Sequence, residues 1–363
     1  MQVVDLDALE AAGIANARER ADLIEYLDGL GFTAEEMVDA EHRGRLFGLA
    51  GDVLLWSGRP TYSLRTAAPA LGVPLEDLAQ AWAALGLTVA DADELALSQA
   101  DVDGLAAWAT MKAVVGDDAA LGFLRVLGAT MARLAEAGSS MVRVAQPDIQ
   151  MTHTGDEVTT ARAYRAVSEI TVHLSALIDA VWRQQTTSAR THFERVITGD
   201  STIVTCGIGF ADLSGFTALT QLLTPTELSD LLVQFSGAVS DVVHADGGRV
   251  VKFIGDEVMW VTSSPELLVR VAVDLVDHPR ARETGLHVRA GLGFGQVLAI
   301  GGDYFGNAVN LAARLVGAAA PGQILAAADV RNEVPDWPAI RQNPLILKGF
   351  KSPVTAYDLH LSR

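Results

Sequence analysis

Between Glu157 and Val196 the chain carries neither proline nor glycine. With Tyr164, Val167, Ile170, Leu174, Leu177 and Val181 at helical spacing, this run predicts one long helix or two stacked ones. Its apolar stripe has two readings. It packs on the chain's own core, or it is a connector that pairs two copies or relays a signal. The run ends at Thr198-Gly199-Asp200, and the sequence differs in texture on its two sides.

Before the run, Ala, Leu and acidic residues dominate, and apolar positions recur at helical intervals, as in Leu23, Leu27 and Leu30 or Leu121, Leu124, Leu127 and Met131. Pro60, Pro69 and Pro74 cut this part into short pieces, and Gly29, Gly31 and Gly86 read as helix ends. Eight to ten helices and no strand are expected. After the run, residues 203–210, 249–254, 258–262, 287–293, 297–300, 324–326 and 354–359 read as strands. Helices are expected over 224–244, 265–277 and 306–317, which makes this part α+β.

A length of 363 residues with 50% hydrophobic and 20% charged content suits two folded domains. The longest uncharged run, 315–328, is shorter than the roughly 18 residues of a membrane span and contains Pro321. The opening residues show neither a basic nor an apolar leader region, and a lone Cys206 fits a reducing compartment. A cytoplasmic protein is expected. A net charge of −18 argues against nucleic acid or anionic lipid as a partner. Residues 62–78 have a helix-turn-helix look around Gly72-Val73-Pro74, but their acidic setting disfavours DNA reading.

Three segments of the second part place polar groups where an apolar fold wants none. In the first, a strand ends at Asp212, and Ser214-Gly215-Phe216-Thr217 turns into a helix. A carboxylate there can hold a hard cation, and the turn's N–H groups can receive phosphate oxygens; an N-cap Asp is the plain alternative. In the second, Gly255-Asp256-Glu257 forms a hairpin turn, and Lys252 interrupts the run Val250-Val251-Lys252-Phe253-Ile254. Only four Lys accompany 23 Arg in this chain, so that Lys stands out. In the third, Gly301-Gly302-Asp303 and Gly306 precede a helix with Asn310 and Arg314 four residues apart on one face. An amide and a guanidinium so placed can address a sugar and a phosphate together, or can be ordinary surface groups.

In order and spacing, these segments resemble the catalytic domain of class III nucleotidyl cyclases over residues 203–360. The resemblance implies a ferredoxin-like α+β core and two divalent ions, Mg²⁺ or Mn²⁺, held by Asp212 and Asp256. It implies Lys252 and Asp303 as the pair that selects the base. Lys can donate to adenine N1 and Asp can accept from its N6 amine, so ATP is the expected substrate. Asn310 would orient the ribose and Arg314 would stabilise the transition state. Phe216 and Thr217 would lie by the phosphates, and Lys348 or Lys351 would reach the terminal ones. Arg289 serves a structural or a catalytic part equally well. The family's sites form between two catalytic domains, which implies a homodimer with shared sites.

The first part resembles the all-α regulatory domain of soluble actinobacterial adenylyl cyclases. The expected organisation is a helical regulatory domain over 1–155, a helical connector over 156–200 and the catalytic domain over 201–363. His153, His173 and His192 lie in or beside the connector and are candidate pH-responsive groups. His173, near the apolar stripe, is expected where charging is costly. The competing readings are a silent nucleotide-binding module and a guanylyl or diguanylate cyclase. The segments at 210–217 and 307–314 do not fit the diguanylate family.

Overall fold

The computed structural model describes residues 5–196, 202–279 and 287–360. The chain divides into two units, Met1–Gln184 and Gln185–Arg363. Among the described residues, no helix is long and apolar enough to cross a membrane.

The first unit is helical: α1 (Leu6–Ala12), α2 (Ala21–Gly29), α3 (Ala34–His42), α4 (Leu49–Leu55), α5 (Leu64–Leu71), α6 (Leu75–Ala84), α7 (Gln99–Val115), α8 (Asp117–Ala145) and α9 (Met151–Thr154) precede a long α10 (Glu157–Val196). Thr33, Ser63 and Ser98 each open a helix with a reciprocal capping box, satisfying donors that the first turn leaves free. Pro69 lies inside α5 instead of ending it. It forfeits one hydrogen bond in the last turn, and the helix closes on Gly72 at φ +66°. α5 and α6 are joined by Gly72, Val73 and Pro74.

Two apolar cores support this unit. One gathers Ile14, Leu23, Ile24, Leu27, Met37 and Leu46, and the other Leu64, Leu78, Leu97, Leu105, Trp108 and Leu124. The start of α10 is tied to the first core. Asp156 accepts from the Thr159 N–H at 2.7 Å, and Ala161 is fully buried. Arg20 holds Glu157 through two hydrogen bonds of 2.6 and 2.8 Å and Glu41 through one of 2.7 Å. Past Ser168 the picture changes. Ile170, Leu174, Leu177 and Val181 are exposed, whereas Tyr164 and Val167 are half-buried, so only the start of the stripe packs on the core.

The second unit holds β1 (Ile203–Ser214), α11 (Phe216–Thr220), α12 (Pro225–Ala245), β2 (Arg249–Ile254), β3 (Glu257–Thr262), α13 (Pro265–Val276), β4 (His287–Ile300), β5 (Asp303–Phe305), α14 (Asn307–Ala318), β6 (Ile324–Ala327), α15 (Ala328–Glu333), β7 (Ile340–Arg341) and β8 (Ala356–Asp358). The strands form one mixed sheet in the order β2-β3-β1-β4-β6-β8-β7, with β5 on β4. The sequence suggests two strands over 287–300, and the structure has one. Gly295 at φ +147° lets a single strand bend without breaking.

Helices cover both sheet faces. On one, α12, α13 and α15 bury Ala211, Leu213, Val258 and Trp260. On the other, α14 lies on Cys206, Ile208, Phe210 and Met259. Glycines on β4 let α14 approach: a Cβ on Gly291 would sit 2.3 Å from Ala312 O, and one on Gly293 would sit 2.5 Å from Ala308 O. The helix that carries Asn310 and Arg314 therefore rests backbone to backbone on the sheet.

Candidate active site

Side chains alternate along β1, so Asp212 faces the same side as Phe210, the side that α14 covers. Opposite it stand Glu257 on β3 and Arg289 on β4. Arg289 Nε donates to Asp212 Oδ2 at 2.9 Å, Nη2 donates to the same oxygen, and Nη1 donates to Ala319 O at 3.3 Å. Arg289 is thus a counter-ion and a tether. Asp256 follows Gly255, whose φ of +67° makes the tight turn between β2 and β3.

Three carboxylates crowd this corner. Burial, then the hydrogen-bonded Asp212 carboxylate, pushes Asp256 up to about 6. Burial, then the charges of Asp212 and Asp256, pushes Glu257 up to about 7. Ser214 Oγ, one alternation beyond Asp212, is buried with no hydrogen-bond partner among the described residues. Half-buried oxygen donors with one guanidinium against them suit a hard divalent cation. Mg²⁺ takes one or two carboxylates and completes its shell with water and phosphate oxygens. The residues therefore fit such an ion. Glu257 escaped the sequence reading, although its place directly across from Asp212 follows once the strand register is known.

Lys252 reaches its position through an irregularity. Val250 pairs with Trp260, on the face of α12 and α13, but Lys252 pairs with Met259, on the face of α14. The bulge at Val251 turns Lys252 to the side that Asp212 occupies. There its ammonium forms an ion pair with Asp303. Asp303 opens β5 and also accepts the Tyr304 N–H at 2.8 Å, which fixes the carboxylate.

Asn310 and Arg314 lie on the exposed side of α14, opposite its buried Ala308, Leu311, Ala312, Leu315 and Val316. No hydrogen bond or ion pair among the described residues links either of them to Asp212, Asp256, Lys252 or Asp303. Phe216 packs half-buried against the core beside α12, and the side chain of Thr217 lies outside the described residues. Lys348 and Lys351 are exposed in the turn closed by the Leu345–Val354 bridge, around Gly349 at φ +91°.

The histidines stand apart from this site. His153 Nε2 lies 3.4 Å from Asp148 Oδ1. His173 Nδ1 lies 2.6 Å from Glu169 O, one turn back on its own helix, and the residue is exposed. The costly setting expected for His173 is therefore not found, because the stripe beside it is itself open to solvent. The side chain of His192 lies outside the described residues.

A model of the adenylate and guanylate cyclase catalytic domain matches residues 200–360, and a model of the adenylate cyclase regulatory domain matches residues 4–188. An uncharacterized protein of Mycobacterium tuberculosis strain H37Rv is 68% identical over 357 residues, covering 98% of this chain and 94% of its own. An adenylate cyclase of Streptomyces coelicolor is 34% identical over 282 residues, covering 75% of this chain and 71% of its own. A pH-sensitive adenylate cyclase of Mycobacterium tuberculosis strain CDC 1551 is 31% identical over 342 residues, covering 91% of this chain and 83% of its own. With both domains matched in this order along nearly its whole length, the chain belongs to the class III adenylyl cyclases that carry an N-terminal regulatory domain.

Proposed function

We propose that two copies of this chain convert ATP to 3′,5′-cyclic AMP and pyrophosphate at sites shared between them. One observation carries the reading. Asp212 and Asp256 form one group and Lys252 and Asp303 another, while Asn310 and Arg314 face solvent with no partner among the described residues. A chain with unjoined half-sites is completed by a second copy set head to tail against it.

In the reaction the ribose 3′-oxygen bonds to the α-phosphorus, the bond to the bridging oxygen of the β-phosphate breaks, and the hydroxyl proton passes to Asp212, to a substrate phosphate oxygen or to water. Asp212 and Asp256 would hold two divalent ions, which when bound would polarise the hydroxyl and help neutralise the departing pyrophosphate. Lys252 donates to adenine N1 and Asp303 accepts from the N6 amine, and guanine opposes both contacts. Asn310 orients the ribose, and Arg314 meets the charge that grows on the α-phosphate. Backbone N–H groups at Phe216 and Thr217 face phosphate oxygens, and Lys348 or Lys351 meets the terminal phosphates. A cytoplasmic setting agrees with Cys206, a buried thiol that burial pushes up to about 12 and that has no disulfide partner. Purified full chain is expected to release cyclic AMP from ATP with Mn²⁺ or Mg²⁺, far faster than cyclic GMP from GTP, and chelation is expected to stop it. Equal rates on the two nucleotides, or turnover that survives chelation, would contradict the assignment.

Residues 1–155 act as the regulatory domain and 156–200 as the connector to the catalytic domain at 201–363. His153, His173 and His192 are the groups we assign to a pH response that biases the connector between an inhibited and an active dimer. The pH-sensitive relative supports this reading. Replacing all three by Gln in the full chain is expected to flatten the activity profile between about pH 6 and pH 8. A profile that superimposes on the wild type rules these residues out as the sensor.

A further inference from the structure

Asn310 and Arg314 owe their place to α14, and main-chain contact fixes the height of that helix above the sheet. Arg289, Gly291 and Gly293 alternate along β4 and so share the face that α14 covers. A Cβ at Gly291 would overlap Ala312 O and Val316 N, and one at Gly293 would lie 2.5 Å from Ala308 O. These are backbone atoms of successive turns, so no side chain can swing aside to make room. Arg289 holds the end of the same helix, donating from Nη1 to Ala319 O at 3.3 Å. Leu311 and Leu315, on the adjoining side of α14, are buried with Leu325 and Leu347, which keeps the helix from sliding along the sheet. Asn310 and Arg314 are exposed, each two residues on from a buried alanine of the seat, Ala308 or Ala312.

We propose that Gly291 and Gly293 are positioning residues of the reaction, setting the height of α14 and so the place of Asn310 and Arg314; this rests on the roles proposed for those two side chains. Relieving a new Cβ to an ordinary contact of about 3.5 Å lifts the helix by about 1 Å. A displacement of that size at a reacting group costs about a hundredfold in rate. The other groups of the site do not ride on α14. Asp212 is on β1, Asp256 in the β2–β3 turn and Lys252 on β2. Asp303 opens β5, is held by Lys252 and by the Tyr304 N–H, and is separated from α14 by Gly306 at φ +146°. The loss therefore falls on the group that contains Arg314 and spares the carboxylates of Asp212 and Asp256.

Gly291→Ala and Gly293→Ala in the full chain test this, with kcat and the KM for ATP measured separately. Each is expected to lower kcat about a hundredfold and to leave KM within threefold of wild type. A kcat within tenfold of wild type for both variants, or a loss confined to KM, overturns the proposal. Co-expression then separates a lifted helix from a damaged fold. Mixed with Asp212→Ala, each glycine variant is expected to recover about a quarter of wild-type turnover, because one site of the mixed dimer joins sound carboxylates to a seated α14. Mixed with Arg314→Ala, it is expected to recover none, since both lesions fall on the same helix. Where Asp212→Ala and Arg314→Ala complement each other, recovery of the glycine variants with neither partner or with both overturns the proposal. Should that control mixture stay inactive, the shared site fails, and the seat is judged on kcat and KM alone.

Discussion

Lys252→Glu combined with Asp303→Cys is expected to lower ATP turnover by about three to four orders of magnitude. The pair is matched before any nucleotide arrives: the ammonium sits on the carboxylate, and Asp303 is fixed by the Tyr304 N–H. Adenine can replace each partner with one of the right polarity, N1 for Lys252 and N6 for Asp303. The double variant offers an acceptor where N1 needs a donor, and a thiol where N6 needs an acceptor. Groups left unpaired in a partly closed site each cost about 1–3 kcal/mol. GTP turnover need not appear, since the rest of the pocket is unchanged. Initial rates with both nucleotides check this, and ATP turnover within tenfold of wild type would remove these residues from base selection.

Asp256→Asn is expected to abolish turnover, by about a thousandfold or more, and at the same time to stabilise the metal-free protein near neutral pH. The first effect follows from losing a charged oxygen donor to a hard cation. The second follows from the crowd of carboxylates. Burial and Asp212 raise Asp256 to about 6 in the fold, from an ordinary value of 3.8. A raised carboxylate penalises the folded state; the penalty is absent below the unfolded value and fully present above about 6. Asn removes it, and the gain should vanish as the pH falls below the ordinary carboxylate range. Thermal melts of both proteins in chelator across that range check the sign. An Asn variant less stable at neutral pH would show that Asp256 is structural.

Much of this site is legible in the sequence because its residues sit where local chemistry is simple. Asp212 follows an apolar run, although its strand continues to Ser214 instead of ending there, Asp256 follows a turn glycine, and Asn310 and Arg314 share a helix face by spacing alone. The position of Lys252 is not legible in the same way. Strict alternation would group it with Val250 against α12 and α13, and one bulged residue at Val251 moves it to the other face. No propensity marks that bulge, which answers to the packing of the whole sheet. The short elements β5, α15 and β7 were not expected for a related reason, since two to six residues gain their form from neighbours rather than from their own pattern. In the long α10 the helix itself is legible over Glu157–Val196, but what covers its stripe is not, because periodicity gives a face and not its partner.

The shared site is tested most directly by mixing two inactive chains. Asp212→Ala lacks the carboxylate proposed to hold metal and Arg314→Ala lacks the guanidinium proposed to act in the transition state, and each homodimer is expected to be nearly inactive. Co-expressed in equal amounts, they form mixed dimers in about half of all cases, and each mixed dimer contains one site with both groups intact. The expected activity is therefore about a quarter of wild type. Activity no higher than that of the two variants measured separately, with mixed dimers shown to be present, would contradict a site built from both copies.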